Sequence, residues 1–132
     1  DESTEQDNEY NFDIDQCIEN LKSELPLEPD YTYVNDYFIS SDKKDLTISI
    51  IVDDATSPES ALDFADTVVR QLNLYACMQD SNIAPSSKDF YGGLYEEYTA
   101  LVGVAPASKV NNPDEWFVYD AIVGGKVMLK LK

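Results

Sequence analysis

The chain has 132 residues, of which 26 are Asp or Glu, nine are Lys or Arg and none is His, giving a formal charge of −17. Without imidazole there is no His general base, no Ser-His or Cys-His nucleophile pair and no His metal ligand. The same charge repels phosphate backbones and anionic lipid surfaces, so nucleic acid is not an expected partner.

The length suits one domain, and the 43% hydrophobic content is too high for a chain disordered throughout. No apolar run approaches the ~20 residues that span a bilayer. Residues 1–10 hold five acids and no base. They are expected to form a disordered acidic leader or tether ahead of a single α+β domain over 11–132. Such a leader, starting at Asp1, suits an exported or surface-tethered protein, with a possible lipid anchor upstream of residue 1.

The first helix is expected from Asp13 to Leu25, where Ile14, Cys17, Ile18, Leu21 and Leu25 form one apolar stripe. Asp13 and Gln16 have the spacing of a capping box, Phe12 stands where a staple residue packs, and Pro26 and Pro29 end the helix. The β-forming stretch Tyr31–Ser40 reads as a strand, with a bulge near Asn35 and Asp36. A polar turn over Ser41–Asp45 leads to a second strand, in which Leu46, Ile48, Ile50 and Val52 alternate with Thr47, Ser49 and Ile51.

Ser57 as cap and Pro58 at the first position open a second, longer helix, and Glu59, Asp63 and Asp66 lie toward its positive end. Its buried face is read as Ala61, Phe64, Ala65, Val68, Leu72, Tyr75 and Ala76. Asp66 and Arg70 make an i,i+4 pair, and Asn82 and Pro85 mark its end. After Gly92-Gly93, the alternation of Leu94, Glu96, Tyr98, Ala100, Val102 and Val104 predicts a strand.

Residues 113–123 carry both a helix start, Asn112 to Glu115, and the β-formers Trp116 to Val123; the strand is favoured. Gly124-Gly125 would then turn a hairpin into a last strand over Lys126–Lys132. The resulting fold is a two-layer α+β domain: a mainly antiparallel sheet of four or five strands packed with two or three helices, in the order α-β-β-α-β-β-β.

Chemistry is sparse. Cys17 and Cys77 either pair, closing a loop worth up to roughly 4 kcal/mol, or pack as separate thiols; alone they make half a zinc site. Glu96 and Glu97 are adjacent and would point to opposite faces of a strand, so they cannot flank one glycosidic bond. The acids at Asp53, Asp54 and Glu59, and at Asn111, Asn112, Asp114 and Glu115, lack EF-hand spacing. No metal, cofactor or catalytic residue is assigned.

In the strand reading, Tyr95, Glu97, Thr99, Trp116, Val118, Asp120 and Met128 share the face away from the main apolar stripe, with Lys130 nearby. That would be a polar-rimmed aromatic surface for a protein, peptide or glycan, unless the rings are core. The expectation is therefore a non-enzymatic binding or accessory domain. An acidic nucleic-acid mimic directed at a basic partner is the alternative, and a carboxylate-dependent hydrolase the least supported reading. No motif identifies a family.

Overall fold

The computed structural model describes residues 12–132. The leader expected over 1–10 lies outside the described residues. Two helices, α1 (Ile14–Glu24) and α2 (Pro58–Gln79), and one helical turn, α3 (Leu94–Glu97), accompany strands β1 (Val34–Asp42), β2 (Asp45–Val52), β3 (Thr99–Pro106) and β4 (Val118–Ile122). The strands form one sheet in the order β1-β2-β3-β4. Its outer pairings are antiparallel and the central pairing, β2 with β3, is parallel. This is an α+β fold in which the α2 crossover returns the chain to the same end of the sheet, as a parallel pairing requires.

Local chemistry accounts for most of these elements. The Asp13 carboxylate accepts from the N–H groups of Asp15 and Gln16, capping α1. The reciprocal arm of the expected capping box comes from elsewhere: Asp13 N–H donates to Gln79 Oε1 on α2, and the Gln16 amide turns to Asn20 instead. Ser57 caps α2 and Pro58 opens it. The bulge is present, since pairing moves from Val34 opposite Val52 to Asp36 opposite Ile51. Asp42 pairs with Asp45 around a turn at Lys43-Lys44, where Lys43 is left-handed at φ 58°.

Leu46, Ile48, Ile50 and Val52 face a core shared with Ala100, Val102, Val104, Val118 and Ile122. Cys17, Leu21, Phe64, Ala65, Val68 and Leu72 cover them from the helices. Tyr31 and Tyr37 meet the Phe64 ring edge-on at 4.9 and 5.5 Å. Both long helices lie on this face of the sheet, so among the described residues neither of them covers the other face.

Two expectations are corrected, and a third, the strand favoured within 113–123, is present over a shorter span. The strand expected from Leu94 begins at Thr99, because Leu94–Glu97 is a helical turn whose Leu94 N–H is held by Asn73 Oδ1 at 2.9 Å. Residues 113–123 satisfy both competing signals in succession, a 3-10 turn at Pro113–Glu115 and then β4. Lys126–Lys132 is not a strand. The chain turns at Gly124-Gly125, but Leu129 N–H then bonds to the Tyr91 hydroxyl, and Lys132 N–H makes a backbone bond to Phe117.

Candidate binding face

By strand alternation, the uncovered face carries Asp36, Phe38, Ser40 and Asp42 from β1, and Asp45, Thr47, Ser49 and Ile51 from β2. It continues with Thr99, Leu101, Gly103 and Ala105 from β3, then Tyr119 and Ala121 from β4. Phe38 is 52% exposed, Tyr119 48%, Leu101 40% and Val110, in the loop after β3, 38%. These large apolar side chains therefore share one face, separated by small residues and flanked by Asp36, Asp42 and Asp45.

The segment after β3 folds back over part of this face. The Trp116 indole lies against Gly103, where an added Cβ would meet ring atom Cζ3 at 2.7 Å. Its Nε1–H donates to Lys109 O at 2.9 Å, and the Tyr119 ring meets it edge-on, with centroids 5.2 Å apart and planes at 66°. A shallow apolar groove of about 190 Å³ remains, lined by Ser49, Ile51, Gly103, Ala105, Val110 and Trp116.

Of the residues singled out from the sequence, Thr99 and Trp116 belong to this face. Tyr95 does not: it is buried in α3 and its hydroxyl donates to Val69 O at 2.8 Å. Val118 is core, and Asp120 sits on the same side of β4, 3.4 Å from Lys130 Nζ. Glu97 turns to Lys44, 3.8 Å away, and Met128 packs on the core with its sulfur near Arg70. The surface residues missed from the sequence are Phe38, Leu101, Val110 and Tyr119. Two of them had a local signal: Leu101 alternates with Ala100 and Val102 within its own strand, and Phe38 lies across the β1-β2 hairpin from the polar phase of β2.

A second depression, about 420 Å³, runs along α2 beside Arg70, Asn73, Cys77 and Ser86. The polar groups of Arg70, Asn73 and Ser86 are already committed. Arg70 pairs with Asp66 at 2.8 Å and donates to Ser87 O, while Asn73 bonds Ala84 O, Leu94 N and Ser86 Oγ. Cys17 and Cys77 are free thiols. Burial, aided by the charge of Asp13, pushes Cys17 up to about 11. Burial also raises Cys77, so neither is a ready thiolate at neutral pH. Burial likewise holds the Tyr91 and Tyr95 hydroxyls above the ordinary phenol range.

Among the described residues, no group of three or more Cys, Asp or Glu side chains is placed to hold a metal ion, and no helix is long and apolar enough to cross a membrane. Among the described residues, the hydroxyls of Ser40, Thr47 and Ser49 on the uncovered face hydrogen-bond to no carboxylate. What the face offers is contact area, with rings, short hydroxyls and a groove. Comparison with protein-family models, curated proteins and solved structures finds no match.

Proposed function

We propose that this domain is a non-enzymatic binding module that takes a polypeptide partner on the uncovered face of its sheet. One observation carries the reading: Phe38, Leu101, Val110 and Tyr119 are all substantially exposed on the face that also holds the Trp116 groove. Grouped exposed apolar side chains, with aromatic anchors beside a pocket, are the makeup of an interaction surface. A polypeptide fits better than a sugar. Leu101, Val110 and Ile51 make the centre of the face largely aliphatic, which suits the side chains of a polypeptide better than the hydroxyls of a sugar. The acidic-mimic alternative draws its support from net charge, whereas the apolar centre of the face favours the first reading.

The test is selection of a displayed random-peptide library on the immobilised domain, with counter-selection on the double variant Leu101→Ser/Tyr119→Ser. Enriched peptides should shift the emission of Trp116, the only tryptophan. They should also lose about tenfold or more in affinity on the variant, as removal of central apolar anchors does. Peptides that bind both forms equally, or whose binding is lost instead on Leu74→Ser/Met78→Ser at the exposed helical surface, would place the interaction elsewhere.

A further inference from the structure

Resting on that reading, we infer that the occupant of the uncovered face is a basic amphipathic segment, with apolar side chains over Leu101 and the Trp116 groove and cations reaching Asp36, Asp42 and Asp45. The charge arrangement points to it. The strand positions on this face include three carboxylates and no Lys or Arg. They bracket the apolar band: Asp36 is opposite Ile51 at the groove, and Asp42 is opposite Asp45 at the hairpin end. From Asp45 to Ile51 along β2, the span between the two acidic ends, is about 20 Å at the rise of an extended chain, a distance that about 13 residues of helix also span.

Asp36 is partly answered by Lys22 at 4.0 Å. Asp42 and Asp45 are directly opposed like charges, both exposed, and among the described residues neither has an ion-pair partner. Opposed like charges weaken a hairpin. A cation on the partner relieves that repulsion on binding and orients the segment along β2. The chain as a whole, at −17, draws such a partner in at long range.

Three synthetic amphipathic peptides of about 14 residues, built from Leu with Lys, Leu with Glu or Leu with Ser, are titrated into the full chain while Trp116 emission is followed. The Leu/Lys peptide is expected to saturate and to shift that emission. Asp42→Asn/Asp45→Asn should weaken it roughly fivefold, the scale of two exposed ion pairs. Glu19→Gln/Glu24→Gln, an equal change of charge on α1, should change it less than about twofold because those sites lie on the helical side. The hairpin variant loses a repulsion, so its melting temperature should equal or exceed that of the wild type.

Equal weakening by the two variants would mean that net charge alone attracts the peptide, and the inference falls. A Leu/Ser peptide that binds as tightly as Leu/Lys overturns the inference while leaving the binding face in place. If no peptide moves Trp116 emission, both the inference and the binding-face reading fail.

Discussion

At Gly103 the backbone of β3 comes so close to the Trp116 indole that a methyl group has nowhere to go, with 2.7 Å to Cζ3. The ring cannot swing away freely, because its Nε1–H is tied to Lys109 O and its edge faces Tyr119. Gly103→Ala is therefore expected to cost about 1–3 kcal/mol, the range of an overpacked contact. Denaturant titration would show this as a lower midpoint, with Trp116 emission moved to the red as the ring is displaced. An unchanged midpoint and spectrum would mean that Trp116 is not seated on β3. This contact was not legible in the sequence, where Gly103 reads as one more residue of an apolar strand. Asn73 was overlooked for a different reason. The buried stripe of α2 runs through Val69, Leu72 and Ala76, and Asn73 lies among them as its single buried polar side chain. A polar residue on an apolar stripe calls for buried partners. Those partners come from Ala84, Ser86 and Leu94, distant in sequence and joined only by the fold.

The elements that sequence reasoning placed well are those closed by local chemistry: both long helices with their caps, the β1-β2 hairpin and its bulge. Those it misplaced depend on long-range bonds. Leu94, Glu96 and Tyr98 alternate as a strand would, and the alternation runs unbroken into the real strand at Thr99. Asn73 and the positive φ of Gly92, at 120°, nevertheless wind that stretch into a turn. This shift accounts for Tyr95 being expected on an open face while it lies in the core. The C-terminal segment is a similar case. Val127, Leu129 and Leu131 have strand spacing, yet only Leu129 is buried. The Tyr91 hydroxyl accepts from Leu129 N–H at 3.0 Å and donates to Asp66 Oδ1 at 2.8 Å, so one buried side chain clasps the tail to α2. Tyr91→Phe keeps the ring and strands both partners, which should cost about 1–3 kcal/mol. Amide hydrogen exchange gives the sharper readout: Leu129 N–H should lose its protection while the core strand amides of β2 keep theirs. Full protection at Leu129 in the variant would show that the clasp contributes little.

For the whole molecule, fold class was legible because helices with one apolar stripe and strands with one apolar face have few ways to bury both. The parallel β2-β3 pairing was not, since strand neighbours are chosen by packing across the sheet. Charge was legible from the outset, and it makes a prediction about pH. With no His, the described residues offer little that titrates between pH 6 and 8. Above that range the buried groups decide. Cys17 is pushed from its ordinary 9.0 up to about 11, mainly by burial, and burial also raises Tyr91 and Tyr95. Each of these groups gives up its proton more readily in the unfolded chain than in the folded one. Between the two values the native state holds more protons, so stability must fall as pH rises. The loss begins near pH 9 with Cys17 and steepens above pH 10 as the tyrosines follow. We expect the melting temperature to be level from pH 6 to 8 and to drop by at least about 5 °C between pH 9 and 11. General repulsion among surface charges also grows in alkali, and two variants separate it from this effect. Cys17→Ala and Tyr95→Phe each lower stability at neutral pH, but each should flatten the alkaline slope, because an ionisable group has left the core. If the melting temperature stays level through pH 11, or if both variants keep the full wild-type slope, then burial of these groups does not govern the alkaline limit.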